Sequence, residues 1–415
     1  MNSLISVIAF FKTHRSFTVI LCVFLFTALF APFIANNLPL YAKYKGQHCF
    51  PAFNKDGFAT VEGKKVFYED VSWKQEENAF KIFPPVAWSP SYLDYPNADY
   101  VSPFDQQVFM VNGKEKPLPF FQRHHLGTDK LGRDVLSGII HGTRSSILTG
   151  LLAMFIAGII AVITGSISGY FRNNGLKISR AAAITSLPAI PAMYFYAYEL
   201  QRFNWEGSLF IQALKTIFII ALIVFFAWIM IKALKLIPFL KKKISFPADS
   251  LITRITELIT AMPRLILILT LGALFKPSLL SLALIIGLTS WTEMSRLLRA
   301  SIMSEKEKGY VEGARVMGFS AFYIIRKHIL PNAITPMMVA MTFGISATIM
   351  AESSLTFLGI GLPPETVSWG SLLAQSKENF RAWWLALFPG LAIFITVFVL
   401  NKTADAIQRF NNPQM

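Results

Sequence analysis

Within one short stretch, His124, His125, Asp129 and Asp134 are of the types that bind metals or move protons. Their spacing fits neither a zinc-ligand pattern nor a calcium loop, so they are read as a turn and no metal site is expected. Catalytic patterns are missing throughout: no HExxH, GxSxG, CxxC or GxxxxGK[ST] occurs. Gly127 to Gly132 (GTDKLG) has glycines but lacks the Lys-Ser/Thr that a phosphate-cradling loop needs. The chain is therefore expected to have no catalytic residues, bind no cofactor and perform no bond chemistry. Cys22 and Cys49 support no disulfide framework. Glu257, Arg264, Glu293 and Glu352 fall in or beside apolar stretches, where an ionisable residue is a functional candidate by default. Snorkelling or a helix-helix ion pair is the competing reading.

A second pattern does no chemistry but has a shape. Glu312-Gly-Ala-Arg-Val-Met-Gly318 is followed by nine residues and then His328-Ile-Leu-Pro331. Tyr310 to Met317 predicts a short helix that Gly318 stops in a left-handed conformation, and Phe319 to Ile329 predicts a second helix. Two short helices would make a compact knob. By composition alone an ordinary amphipathic connector is the preferred reading.

The elements that must hold this knob are those of a membrane protein. Of 415 residues 53% are apolar, 15% charged and 14% aromatic, and the apolar residues gather into blocks of roughly 20, enough helix to cross a bilayer. The formal charge of +15 is unevenly placed. Between Asn36 and Ile140 there are 12 basic and 12 acidic residues, which leaves 27 of the 39 basic residues against 12 of the 24 acidic ones elsewhere. That excess sits in short segments between apolar blocks, which marks a cytoplasmic side and forms no continuous nucleic-acid face.

Along the chain, Lys12, His14 and Arg15 precede an apolar run from Phe17 to Ile34. Ala35-Asn36-Asn37 is a poor cleavage site, so a retained first helix is expected. Residues 36–141 read as a small mixed external domain, with strand-like runs at Lys65 to Tyr68 and Gln107 to Val111. A second span runs from Ser146 to Tyr170, with Gly165 and Gly169 spaced for close helix approach. Ala181 to Tyr198 and Leu209 to Ile231 are expected to form a hairpin around the polar turn Glu199 to Ser208. A helix over Leu251 to Phe275, a return span from Leu279 to Met294 and a basic internal loop from Arg296 to His328 follow. Ile334 to Met350 and Trp384 to Leu400 close the chain, separated by an outer excursion anchored by interfacial tryptophans. The sum is an all-α polytopic membrane protein of about eight helices with both termini cytoplasmic, divided at 1–35, 36–141, 142–173, 174–250 and 251–410.

The spacing in the basic loop resembles the EAA loop of ATP-binding-cassette importer permeases, with Gly313 and His328 departing from the usual residues. Tyr310-Val-Glu-Gly-Ala314 and His328-Ile-Leu-Pro-Asn332 are similar to the dipeptide and oligopeptide permease group. So are His125-Leu-Gly-Thr-Asp129, Gly132-Arg-Asp-Val135 and Gly142-Thr-Arg-Ser145, which resemble the segment (123–145) before the second span of its second-type subunit. Trp291 with Arg296 and Arg299, Glu352 to Gly361, Trp369-Gly370, Trp383-Trp384 and Pro389-Gly390 continue the likeness to the C-terminus. The long region before His125 and the insertion from Asn174 to Ala248 fall outside it. The insertion reads as a peripheral hairpin in preference to a partner-docking element.

The resemblance implies a type I importer permease fold in a bacterial inner membrane. Loop 300–332 would couple to ATPase subunits through Tyr310, Glu312, Gly313, Ala314, Gly318, His328, Leu330 and Pro331. His125, Gly127, Thr128, Asp129, Gly132, Arg133 and Asp134 would form the segment leading into the second span. Implied partners are a second permease subunit (a heterodimer), two ATPase subunits or domains that hold ATP and Mg, an extracytoplasmic peptide-binding protein and the lipid bilayer, with no nucleic acid. An ion-gradient-driven secondary transporter is the alternative, though it predicts inverted repeats that the sequence lacks. A membrane sensor predicts a cytoplasmic signalling domain. Nickel chelates or other small solutes are alternative cargoes.

Overall fold

A computed structural model describes residues 15–54, 57–61, 64–71, 73–74, 80–111, 114–196 and 209–411. Helices dominate. α1 (Arg15–Ile34) is followed by a polar region in which β1 (Tyr41–Tyr44), flanked by β2 (Gln47–Cys49) and β5 (Phe80–Ile82), forms an antiparallel sheet. Lys45 and Gly46, both at positive φ, make the two-residue turn that sets the register Tyr44 to Gln47. Leu38, Ala42, Cys49 and Trp73 pack beneath this sheet as a small core of their own. Two further hairpins, β3 (Phe58–Val61) with β4 (Lys64–Phe67) and β6 (Val108–Val111) with β7 (Lys114–Pro117), lie close to the two expected strand runs.

α2 (Val135–Phe171) is 37 residues, about 55 Å of helix. It starts eleven residues before the expected Ser146 because Asp134 caps it, accepting from the Ser137 N–H at 2.7 Å. Its small residues then carry the main packing of the molecule. A Cβ at Gly165 would come 3.0 Å from the Ser295 carbonyl, and one at Gly169 would come 2.9 Å from that of Arg299. Both neighbours lie on α7 (Leu279–Lys306), whose own Gly287 sits equally close to Ala153. The close approach anticipated for Gly165 and Gly169 is thus made with α7. It also explains why α7 runs on to Lys306 through the first residues of the expected loop: Leu298 and Ile302 are fully buried against those glycines.

The insertion begins and ends side by side. β8 (Lys177–Ser179) pairs antiparallel with β9 (Lys243–Ser245), and α3 (Arg180–Tyr194) and α4 (Leu209–Leu234) pack on each other above that clasp. Because the clasp closes the segment on itself, the helices before and after it need not move to accommodate it. The expected turn Glu199 to Ser208 lies outside the described residues.

One expectation is corrected outright. Leu251 to Phe275 is not a single helix but α5 (Ala248–Ala261) and α6 (Arg264–Leu274), bent by 89°. Pro263 is the cause: its ring excludes the helical conformation at Met262, which is extended (φ −89°, ψ 137°). Beyond α7 come α8 (Gly309–Val316), α9 (Ala321–Ile324), a π-turn at Ile325–Ile329, α10 (Leu330–Ala333), α11 (Thr335–Phe357), α12 (Trp369–Gln375) and α13 (Trp384–Asn411).

Among the described residues four helices are long and apolar enough to cross a membrane, α2, α4, α11 and α13, or five if the bent pair α5–α6 counts as one. The apolar part of α1 (Thr18–Ile34) is shorter. Of the three tryptophans expected at the interface, Trp369 and Trp384 are buried and Trp383 is exposed. The Trp369 indole donates to the Ile139 carbonyl of α2 at 3.0 Å.

Candidate functional site

The knob forms where the spacing placed it. Gly318 takes φ +79°, its N–H donates to Arg315 O at 2.9 Å and the Phe319 N–H reaches Ala314 O at 3.3 Å. These are the two bonds of a Schellman stop, and they end α8 one residue past Val316. Ser320 then caps α9 through the Tyr323 N–H. Pro331 has no N–H to offer the carbonyl four residues back and its ring crowds that carbonyl. The helix widens into the π-turn before it, where the Leu330 N–H bonds to Ile325 O.

One side of the knob belongs to the main core. Val311, Ala314, Ile324 and Ile329 are buried with the α2 and α7 side chains. The other side is apolar and exposed: Val316 is 85% exposed, Phe322 71% and Met317 69%. A chain that buries one apolar face and leaves the opposite one in solvent has a surface fitted to a partner. Glu312 stands exposed in the first turn of α8, beside a cavity of about 280 Å³ that it shares with Arg172, Lys306 and Arg315. At Gly313 a Cβ would meet nothing within 4 Å, so this departure from the usual alanine is sterically neutral.

Two bracing networks flank the knob, and neither was read from the sequence. The Tyr310 hydroxyl donates to Glu305 at 2.6 Å, Lys308 pairs with the same carboxylate at 2.6 Å, and the Asn332 amide donates to the Tyr310 hydroxyl at 3.3 Å and to His328 O at 3.0 Å. Tyr310 thereby ties the end of α7 to α10. Deeper, Arg299 of α7 grips Asp249 of α5 with two hydrogen bonds of 2.6 and 2.7 Å, and Ser168 of α2 donates to that carboxylate at 2.6 Å. Arg299 was singled out; its partner fifty residues earlier carries no local signal.

The segment before α2 is a packed turn. Gly127 and Gly132 both have φ +78°, and a Cβ on Gly132 would overlap the Asp94 carbonyl. Asp129 Oδ1 accepts the N–H groups of Leu131 and Arg133, each at 2.9 Å, while Arg133 Nε donates to Oδ2 at 2.6 Å. Thr128 Oγ1 donates to Asn97 O and accepts from the Val101 N–H. The buried histidine is His124: its ring nitrogens lie 2.9 Å from Asp134 and 3.1 Å from Asp94, and Trp88 stacks on it at 4.1 Å. Burial by itself lowers the His124 pKa, but the two carboxylates outweigh it and hold the value above 6.5. Nearby, burial lowers the Lys74 ammonium well below the ordinary lysine value against the opposing charges of Asp94 and Asp134. His125 packs edge-on to Phe120.

Farther along, Glu352 of α11 is fully buried and accepts from the hydroxyls of Ser146 (2.9 Å), Thr356 (3.2 Å) and Ser353 (3.3 Å). It is therefore packed against α2 and not lipid-facing. Glu257 pairs with Arg254 at 2.8 Å on the surface of α5.

Residues 236–415 match the family model described as "Binding-protein-dependent transport system inner membrane component". A protein of Brucella suis titled "Putative peptide transport system permease protein" is 39% identical over 170 residues, covering 40% of this chain and 57% of its own length. The chain thus spans little more than half of that relative. The di/tripeptide transport system permease protein DppC of Pseudomonas aeruginosa is 26% identical, covering 77% of this chain and 82% of its own length. The peptidoglycan transport system permease protein YejE of Agrobacterium fabrum is 26% identical, covering 97% and 91%. Residues 236–415 are thus similar to the inner membrane components of binding-protein-dependent transport systems, and over most of its length the chain is similar to peptide transport permeases.

Proposed function

We propose that the chain is one transmembrane subunit of an ATP-driven importer, forming half of a translocation pathway for peptides and coupling to separate ATPase subunits through loop 300–332. The observation that carries this reading is the knob: a Schellman-stopped helix fixed to the core by Val311 and Ala314, with Val316, Met317 and Phe322 exposed at its tip. The names of the relatives support the peptide class. In this reading the tip seats in a cleft of the ATPase, Glu312 caps or pairs at that interface, and closure of two ATPases turns the membrane helices between inward- and outward-open states. ATP and Mg belong to those subunits. A second permease subunit completes a heterodimer and an extracytoplasmic binding protein delivers the peptide.

The same reading fixes orientation. Residues 36–141 form an external domain, both termini are cytoplasmic, and α1, the α3–α4 hairpin, α5–α6 and α7 make up eight spans with α2, α11 and α13. The α3–α4 hairpin is peripheral, in keeping with an α4 span of which none is buried.

Co-purification from native membranes tests this, comparing wild type with Glu312→Lys and Phe322→Asp. ATPase subunits that accompany the wild type and are lost or uncoupled in the variants support the coupling site. A wild type that purifies alone and transports on an ion gradient establishes a secondary transporter instead.

A further inference from the structure

A cavity of about 640 Å³ lies between α6, α7 and α11, within the range of ordinary small-molecule sites. Its lining mixes apolar side chains such as Met294, Val339 and Phe343 with polar ones such as Ser301, Asn332 and Gln408, and two opposite charges face it, Arg264 and Glu293. The break at Pro263 puts Arg264 on the first turn of α6, some 16 Å of helix from Leu274, and Glu293 lies some 21 Å along α7 from its outer end. In a hydrocarbon layer of about 30 Å this puts Arg264 near mid-depth and Glu293 about two thirds of the way across, where unneutralised charge is costly.

Each is only partly engaged. Arg264 Nη2 donates to Ser290 Oγ at 2.5 Å, which leaves most of its donors free. Glu293 lines the same cavity, yet its carboxylate makes no hydrogen bond among the described residues. A structural ion pair would close the gap with direct bonds, as Arg299 and Asp249 do. These two line one cavity without a direct ion pair between them, open to a molecule that has a carboxylate at one end and an ammonium at the other.

We infer that this cavity binds the substrate peptide by its two free termini, Arg264 taking the α-carboxylate and Glu293 the α-ammonium, with the mixed polar and apolar walls accepting side chains of either kind. The inference rests on the peptide-importer reading and adds to it a recognition step inside the membrane. A cavity of about 640 Å³ has room for a short zwitterionic peptide. Main-chain recognition also leaves side-chain identity unread.

The test uses the permease–ATPase complex in nanodiscs without binding protein, so that the binding protein's own selection plays no part. Binding of labelled trialanine is measured by equilibrium dialysis, with N-acetyl-trialanine and trialanine amide as competitors. The expected wild type binds trialanine and prefers it about tenfold or more over each capped form. Arg264→Gln should lose the preference over the amide alone, and Glu293→Gln the preference over the acetylated form alone, a crossed pattern that loss of packing does not produce. Equal competition by all three in the wild type, parallel losses in both variants, or no binding overturns the inference. ATP-driven uptake of trialanine by the complete transporter is measured in parallel. Uptake without the crossed pattern overturns this site alone, whereas a complete transporter that carries no peptide overturns the importer reading with it.

Discussion

The indole Nε1 of Trp384 donates to the main-chain oxygen of Thr128 at 3.0 Å, across 256 positions of sequence. This bond fastens the first turn of α13 to the segment that launches α2, and the same indole lies where a Cβ on Gly127 would fall. Trp384→Phe keeps an aromatic side chain but deletes the donor and part of the ring volume, so a buried carbonyl is left unpaired beside a small cavity. The expected cost is about 2–4 kcal/mol, read as a lowered thermal-unfolding midpoint in detergent. An unchanged midpoint would show that neither the bond nor the packing of this indole contributes to stability.

Glycines in the two candidate regions should respond in opposite directions. Gly132→Ala forces a side chain into the Asp94 carbonyl at positive φ and is expected to destabilise by about 3 kcal/mol or more. Gly313→Ala enters open space on a helix and should stabilise α8 by up to about 1 kcal/mol with ATPase coupling retained. Thermal unfolding of the two variants beside wild type decides it. Loss of stability in Gly313→Ala would mean that the position is covered.

Asp249→Asn removes the charge that Arg299 grips while preserving shape. With the pair partly buried, a loss of about 2–3 kcal/mol is expected, together with faster hydrogen exchange at the start of α5. Exchange confined to wild-type rates would relieve this pair of any bracing role.

Stability should depend on pH through His124. Its folded-state pKa is raised above 6.5, so protonation favours the folded state. The contribution is complete below pH 6.5 and is lost as pH rises through the elevated folded-state value. The stability gap between wild type and His124→Gln should therefore be largest near pH 6 and shrink toward pH 9. Asp94, Asp134 and the neighbouring Lys74 are the other ionisable groups of this cluster. A gap that is constant across this range would place the histidine in the neutral form throughout.

Much of the knob was legible because each of its signals is local: Gly318 stops a helix within one turn, and Pro331 disturbs the turn just before it. Periodicity also marked α2, though its start was misplaced, because the cap at Asp134 lies in a polar stretch that composition assigns to the domain before it. Hydropathy alone could not divide Leu251 to Phe275. The apolar count runs smoothly through Pro263, and only the backbone rule for the residue before a proline foretells the 89° bend. Pairings across distance were invisible. Nothing beside Glu352 announces Ser146, 206 residues away, and nothing beside Arg299 announces Asp249.

Gly165, Gly169 and Gly287 bring α2 and α7 so close that backbone touches side-chain root along most of their shared length. Two rods bonded along their sides flex far less than two free ones, so the pair is a single thick beam. A push delivered at Lys306 cannot be absorbed by bowing of α7. It must appear as tilt of the whole beam, with the give located in the short turn before Ser278 and, one helix earlier, at the Pro263 elbow. The stiffness of this pair is thus set by where its glycines end, and a methyl group placed at Gly287 would push the two helices apart.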